Sequence, residues 1–229
     1  AQEIRRLDPE GQITILSDES APGYSRVMLP LYIAGKRRQR ELVFAGRPFY
    51  AAARIRLLRR RTAVGVDAEA RRVRLADGAT LAYDRLLVAT GSAPRRLDVP
   101  GSDLAGVFTL RTLADARAIK ARLRGLRGPI VIVGGGPVGL KSLEALAGRR
   151  REVHLVISSD RVLSQILDAT ASEFFLRAFA RRGVQVHLRT DVVAFHGPGE
   201  VQAVSLSDGS RLPCGLALVG KGVRPNTAC

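Results

Sequence analysis

The stretch IVIVGGGPVGLKSLEALAGRRREVHLVISSD, residues 130–160, constrains the fold more than any other part of this sequence. Its first four residues form an apolar run typical of a buried strand, and a glycine-rich turn follows directly. The segment LKSLEALAG then predicts a helix, and the apolar run VHLVI predicts a second strand. A strand, a glycine turn, a helix and a strand within about 30 residues form a βαβ unit, which requires a parallel sheet.

The glycine turn has the spacing G-x-G-x-x-G at Gly134, Gly136 and Gly139. In this pattern the first glycine allows a tight turn, the second lets the backbone approach a pyrophosphate, and the third allows close packing of helix on strand. Free N–H groups at the start of the helix attract the phosphate charge. The sequence therefore predicts a dinucleotide site whose contacts are Gly134, Gly136, Pro137, Val138 and Gly139.

The end of the second predicted strand leaves the choice between NAD and NADP open. An acidic residue about 20 positions after the glycines usually bonds the ribose 2′-hydroxyl, and the residue at that position here is Ile157. Arg161 can meet a 2′-phosphate, whereas Ser158 or Asp160 can serve the 2′-hydroxyl. We include Ser158, Ser159 and Arg161 among the predicted cofactor-binding residues.

The remainder of the chain alternates strand and helix patterns, which predicts the α/β class. Asp-Gly pairs between alternating segments predict two hairpins. The predicted elements are strands over Gln12–Ser17, Leu57–Val66, Arg71–Leu75 and Leu86–Gly91, helices over Ala114–Leu126 and Ala169–Arg182, and hairpins at residues 77–78 and 208–209.

The 229 residues carry a net charge of +16, and 33 of the 37 basic residues are arginine. These arginines are not interleaved with aromatic side chains and the chain has no Trp, whereas single-stranded nucleic acid needs aromatic stacking platforms. We therefore expect no specific nucleic-acid partner. No apolar run approaches the ~20 residues of a membrane span, and two cysteines make no disulfide framework, so we expect a cytoplasmic protein without a membrane partner.

Several segments in order along the chain carry a resemblance to a known family: ITILSDES, APGYSRVMLPLYIAGK, YDRLLVATGSAPRRLDVPG, VFTLRTLADARAI, the glycine turn and GVRPN. On these segments the chain resembles the FAD/NAD(P)-dependent pyridine nucleotide-disulfide oxidoreductase superfamily. It is most similar to the branch of nitrite-reductase flavin domains, ferredoxin and rubredoxin reductases, and NADH oxidases. The resemblance implies two Rossmann-like three-layer domains, a partial FAD domain over 1–99 and an NAD(P) domain over 100–229.

The resemblance also implies which residues contact the flavin. Asp18 or Glu19 ends a strand at the position where an acidic residue binds the adenosine ribose. Tyr24–Arg26 and Leu29-Pro30 lie near the isoalloxazine, and Arg26 is a cofactor contact. Ala89, Thr90 and Gly91 pass close to the flavin nucleotide. The implied activity is hydride transfer from NADH or NADPH to FAD. Electrons then pass to an acidic carrier protein or a small-molecule acceptor. The resemblance is also compatible with a homo-oligomer.

Three departures from the family qualify this expectation. Val27 stands where oxidases and disulfide reductases carry a redox cysteine, and neither Cys214 nor Cys229 lies near that position, so we expect electron transfer without a thiol. Lys141 replaces a glutamate near the nicotinamide. The first strand and glycine turn of the FAD domain are missing, which implies a truncated chain. The alternative is a non-catalytic nucleotide-binding scaffold or sensor. The three histidines, His154, His187 and His196, are expected to be structural or exposed.

Overall fold

The structure, a computed structural model, describes residues 1–147 and 151–228. The chain divides into two compact units, and each combines separate stretches of sequence. The first unit is Ala1–Ser25 with Arg38–Ser92 and Pro225–Cys229, and the second is Arg26–Arg37 with Ala93–Arg224. The predicted boundary between residues 99 and 100 thus falls inside the second unit, and the naming of an FAD domain and an NAD(P) domain stays a prediction.

Short helices and strands follow one another along the described residues. In chain order they are α1 (Gln2–Leu7), β1 (Ile13–Ser17), β2 (Gly23–Tyr24), a 3₁₀ turn (Arg26–Met28), α2 (Leu29–Ile33), a 3₁₀ turn (Gln39–Leu42), β3 (Val43–Ala45), α3 (Arg47–Ala52), β4 (Ile55–Arg59), β5 (Ala63–Asp67), β6 (Arg72–Leu75), β7 (Thr80–Ala82), β8 (Ser92–Pro94), β9 (Val107–Thr109), α4 (Leu113–Arg124), β10 (Ile130–Val133), α5 (Pro137–Leu146), β11 (Val153–Ile157), α6 (Ala169–Ala180), β12 (Val184–Leu188), β13 (Val192–His196), β14 (Ala203–Leu206), β15 (Arg211–Pro213), β16 (Leu216–Val219) and β17 (Val223–Pro225).

The second unit is built on a five-stranded parallel sheet with the order β12-β11-β10-β16-β9. Its central strand, β10, is the apolar run IVIV, and all four of its side chains are fully buried. Continuous apolar runs are typical of parallel strands, because such sheets are covered on both faces. All five strands end at the same edge of the sheet, and in open α/β sheets that edge binds ligands.

Alternate residues of β10 point to opposite faces of this sheet. On one face Val131 packs in a core with Phe195 and Val204 of the antiparallel sheet β13-β14-β15. On the other face Ile132 lies beneath the start of α5, where it faces Gly139. The buried core of the second unit therefore surrounds the strand that leads directly into the glycine turn.

Several predicted elements are confirmed with shifts of one or two residues at their ends. The predicted helices over Ala114–Leu126 and Ala169–Arg182 are α4 and α6. Both Asp-Gly hairpins form, with Gly78 at φ +84° and Gly209 at φ +85°. Within the described ranges no helix has both the length and the apolar character that crossing a membrane requires.

Two strand predictions in the first unit are wrong. The predicted strand over Leu57–Val66 is divided between β4, which pairs with β1, and β5, which pairs with β6. Arg60 lies between them at φ +56°, a left-handed conformation that ends an extended strand. No residue pattern signals this break, because apolar residues continue on both sides of the arginines.

The predicted buried strand over Leu86–Gly91 does not form. No described strand pairs with this segment, and Leu87 and Val88 are 76% and 58% exposed. A strand exists only where a neighbouring strand completes its hydrogen bonds. An apolar run indicates that a segment can be buried, but it does not show whether a neighbouring strand is present to pair with it.

Candidate functional site

The glycine turn joins β10 to α5 at the carboxyl edge of the parallel sheet. Gly134 has φ +114°, and a Cβ placed there would lie 2.4 Å from the carbonyl oxygen of Gly220. A Cβ at Gly139 would lie 2.0 Å from the carbonyl oxygen of Gly134. Both distances are too short for any side chain, so these two glycines are required by the packing of the turn itself.

Gly136 is different, because a Cβ placed there would have no atom within 4 Å. It is the N-cap residue of α5 and makes no side-chain cap, Pro137 occupies the first turn, and that turn contains no acidic residue. The backbone N–H groups at the start of this ten-residue helix, such as that of Val138, have no intrahelical acceptor and lie at its positive end, where they can bind an anion. This geometry fits the pyrophosphate of a dinucleotide.

Ile157, at the position of the usual acidic selector, contributes to packing. It is 2% exposed, and a Cβ placed at Gly135 would lie 2.8 Å from its Cδ1. The side chain therefore supports the glycine turn from the neighbouring strand, and it offers no carboxylate to a ribose.

Arg161, the predicted partner of a 2′-phosphate, is engaged with its own loop. Its Nη1 donates to both carboxylate oxygens of Asp160 at 3.0 and 3.1 Å. Other guanidinium nitrogens donate to the carbonyls of Ser164 and Leu167, each at 3.3 Å. The hydroxyl of Ser159 donates to the carbonyl of Arg161 at 2.7 Å. These bonds hold the loop after β11 in one shape.

Sequence reasoning missed Lys221. Its Nζ donates to the Ser158 hydroxyl at 3.0 Å and also to the carboxylate of Asp191. Ser158 itself is exposed, and it is the first residue after β11. Ser158, Asp191 and Lys221 are far apart in the chain. The one sequence signal that could have predicted their proximity is that each follows a strand of the parallel sheet.

Lys141, which stands where the resemblance leads us to expect a glutamate, forms an ion pair within its own helix. Its Nζ donates to Glu144 Oε2 at 2.9 Å one turn along α5. This hydrogen bond, together with the charge of Lys141, lowers the pKa of Glu144. The side chains of both residues are largely exposed, so their opposite charges neutralise each other on the surface of the helix.

The first unit holds the acidic residues predicted for the flavin. Asp18 and Glu19 directly follow β1, as expected, with Asp18 exposed and Glu19 half-buried. The Tyr24 hydroxyl donates to Glu19 Oε2 at 2.5 Å, which fixes the position of that carboxylate. Glu19 is therefore the better oriented of the two acidic residues.

Ala89, Thr90 and Gly91 are exposed and lie outside any strand. They are nevertheless held in place, because the Asn226 amide donates to the carbonyl of Thr90 at 2.9 Å and the Asn226 backbone N–H donates to Gly91 at 3.0 Å. Asn226 thus contacts the ATG motif within the first unit, although 136 residues separate Thr90 from Asn226.

Glu19 and residues 89–91 all lie in the first unit and fit part of a flavin site, because a carboxylate that directly follows a strand suits the hydroxyls of a ribose.

Arg26, predicted to lie near the isoalloxazine, and Val27, at the position of the family's redox cysteine, are residues of the second unit. Arg26 Nη1 donates to the carbonyl of Arg111 at 2.8 Å, and Val27 is 83% exposed. The next residues anchor the segment, because Leu29 and Ile33 of α2 are each 1% exposed. The position of the expected redox cysteine is therefore an exposed aliphatic side chain.

Cys214 is a free cysteine that is 1% exposed. Burial raises the pKa of its thiol to about 12. At pH 7.5 less than roughly one molecule in ten thousand carries the thiolate, the reactive form. Cys229 lies outside the described residues.

We expect Cys214 to resist alkylation in the folded protein. In a Cys229→Ser variant, which leaves Cys214 as the one thiol, iodoacetamide at pH 7.5 should label the native protein at least ~100-fold more slowly than the urea-unfolded protein. Intact-mass spectrometry measures both rates. Equal rates in the two states would show that this thiol is accessible and would contradict the burial.

The three histidines are held in structural contacts. The Nδ1 of His154, a residue 2% exposed, lies 3.1 Å from His187 Nε2, and its Nε2 lies 3.3 Å from a Glu152 carboxylate oxygen. Burial lowers the pKa of His154, while Glu152 acts in the opposite direction. His196 contacts Ser205 at 2.8 Å. Sequence reasoning missed Glu152, which directly precedes β11 two residues before His154. His154 lies near the amino end of β11, away from the edge with the glycine turn.

The chain matches, over residues 1–229, the family described as pyridine nucleotide-disulphide oxidoreductase. A similar curated protein is the ferredoxin–NAD(+) reductase component of the biphenyl dioxygenase system of Paraburkholderia xenovorans, 34% identical over 227 residues, which covers 98% of this chain and 55% of that protein. The assimilatory nitrate reductase electron transfer subunit of Bacillus subtilis is 29% identical over 215 residues, 94% of this chain and 28% of that protein.

Solved structures give the same result. A ferredoxin reductase from Rhodopseudomonas palustris has a TM-score of 0.92 and 30% identity, and the match covers 98% of this chain and 56% of that one. The covalent putidaredoxin reductase–putidaredoxin complex has a TM-score of 0.92 and 32% identity, with 97% and 55% covered. The chain thus spans about half the length of the ferredoxin reductases it matches, and 28% of the Bacillus subtilis subunit. The matches confirm the predicted resemblance to this family, whose cofactors are FAD with NAD or NADP, and they confirm the α/β Rossmann-like fold class.

Proposed function

Because the chain belongs to the pyridine nucleotide-disulphide oxidoreductase family, we propose that it forms the nucleotide-binding part of a flavin-dependent NAD(P)H oxidoreductase that delivers electrons to a carrier protein. The observation that carries this proposal is the open start of α5 at Gly136, where a pyrophosphate has space beside the backbone N–H groups of the first helical turn. Relatives named as ferredoxin reductases support the choice of a carrier protein as acceptor.

In this proposal the residues of the second unit bind and orient the dinucleotide. Gly136, Pro137 and Val138 surround the pyrophosphate, while Gly134 and Gly139 keep β10 and α5 close enough to present the helix N-terminus. Ser158 and Ser159 lie at the ribose end, directly after β11. When bound, NADH or NADPH supplies a hydride and FAD accepts it and releases electrons onward.

We propose further that no thiol relays these electrons. Val27, at the position of the expected redox cysteine, has no redox chemistry, and Cys214 is buried as a neutral thiol. Glu19 and residues 89–91 of the first unit are proposed as part of the flavin site in the whole protein.

The test is flavin reduction in the whole protein supplied with FAD. Under anaerobic conditions NADH or NADPH should bleach the visible absorbance of the bound flavin, and a Cys214→Ser, Cys229→Ser double variant should bleach equally fast. If the double variant binds both cofactors but is not reduced at the wild-type rate, a thiol relay exists. If the protein binds NADH but never FAD, the second candidate applies, which is a non-catalytic nucleotide-binding module.

The charge of the chain predicts that the carrier is acidic. A net charge of +16 should steer an acidic ferredoxin-type protein to the surface, and salt screens such steering. We expect the rate of carrier reduction under subsaturating conditions to fall at least about threefold between 50 and 500 mM NaCl. Reduction of an uncharged quinone is the control, and its rate should stay nearly constant. A carrier rate that is independent of salt would refute an acidic carrier.

A further inference from the structure

Three loops meet through Lys221 at the carboxyl edge of the parallel sheet. Lys221 is the second residue after β16, Ser158 is the first after β11, and Asp191 directly precedes β13. The Lys221 ammonium donates to the Ser158 hydroxyl at 3.0 Å and to the Asp191 carboxylate. Its side chain is 22% exposed, so it is partly enclosed yet open to a ligand.

The path of the chain places Lys221 beside the dinucleotide site. The Gly220 N–H donates to the carbonyl of Val133 at 2.7 Å. The carbonyl oxygen of Gly220 would lie only 2.4 Å from a Cβ placed at Gly134. Lys221 therefore starts next to the pyrophosphate turn. Its side chain then extends to the end of β11, from the pyrophosphate end of the site towards the ribose end.

The end of β11 is where the 2′ position of the adenosine ribose lies in a fold of this kind. NADH and NADPH differ only there, by a hydroxyl or a phosphate. Ile157 supplies no carboxylate to repel the phosphate. Two nearby cations are each paired with a carboxylate, Arg161 with Asp160 and Lys221 with Asp191, and Arg161 also donates to two carbonyls of its own loop. Lys221 is the cation that already hydrogen-bonds the first residue after β11.

We propose that Lys221, with the hydroxyl of Ser158, selects NADPH by binding its 2′-phosphate, and this rests on the nucleotide site proposed above. Asp191 holds the Lys221 ammonium in place by a hydrogen bond. Its carboxylate also limits the preference for NADPH over NADH, because it neutralises the ammonium and repels the 2′-phosphate. In this chain a residue of the loop after β16, rather than an acidic residue at the end of β11, thus determines the choice between NADPH and NADH.

The test is equilibrium binding of NADPH and NADH, and of the fragments adenosine 2′,5′-bisphosphate and AMP, to the chain and its variants. Lys221→Gln should weaken NADPH and the bisphosphate about 10- to 100-fold, the loss of one charge-assisted bond, and leave NADH and AMP within about twofold. Asp191→Asn should tighten NADPH and leave NADH unchanged. Arg124→Gln is the matched control, because Arg124 is an exposed cation at the end of α4, which leads to the opposite edge of the sheet.

Two results would overturn the inference and are distinct from failure of the site itself. If Lys221→Gln leaves the ratio of NADPH to NADH affinity unchanged, or if Arg124→Gln changes that ratio equally, Lys221 is not the selector, although the nucleotide site stands. If the wild-type chain binds none of the four ligands while circular dichroism shows it folded, the proposed nucleotide site is wrong as well.

Discussion

Replacing Gly136 by valine is expected to weaken both NADH and NADPH roughly 100-fold or more, through the loss of two or more charge-assisted hydrogen bonds to the pyrophosphate. The fold should remain intact, because a Cβ at this position meets no atom within 4 Å and φ is −82°. The added side chain occupies the space that the pyrophosphate needs. Isothermal titration with each nucleotide measures the affinity, and far-ultraviolet circular dichroism checks the fold.

Two matched glycine variants make this result specific. Gly125→Val also adds a side chain where no atom lies within 4 Å, but at the far end of α4, so it should bind both nucleotides normally. Gly139→Val should destabilise the protein, because its Cβ would collide with the carbonyl oxygen of Gly134. Unchanged nucleotide affinity in Gly136→Val would refute the assignment of the glycine turn as the pyrophosphate site.

Truncation of Ile132 to alanine is expected to lower the free energy of unfolding by about 2–5 kcal/mol, the usual cost of removing a large aliphatic side chain from a packed core. Ile132 is fully buried in the central strand, beneath the start of α5. Because the chain has no Trp, circular dichroism in a urea titration is the appropriate measurement.

The control for this variant lies in the same unit. Val193→Ala removes an aliphatic side chain that is 43% exposed on β13, so it should cost less than about 1 kcal/mol. A loss below about 1 kcal/mol for Ile132→Ala would show that β10 is not the centre of a packed core.

Local patterns in the sequence were sufficient for the βαβ unit and the hairpins. A buried strand, a glycine turn and a helix are each specified by residues close together in the chain. For this reason the amino-acid pattern alone locates Gly134 and Gly136 between β10 and α5, and Gly139 in the first turn of α5. Both Asp-Gly turns formed as expected for the same reason, since glycine adopts the positive φ that such turns require.

Other features were decided only by tertiary neighbours. The apolar run Leu86–Gly91 resembles a buried strand in sequence, yet no described strand lies beside it. Conversely, no pattern links Lys221 to Ser158, 63 residues away, or Asn226 to Thr90, 136 residues away. Hydrogen bonds between distant loops depend on which strands become neighbours in a sheet. That order is set by packing of the whole unit, whereas turns and helix starts depend on the conformational preferences of a few adjacent residues.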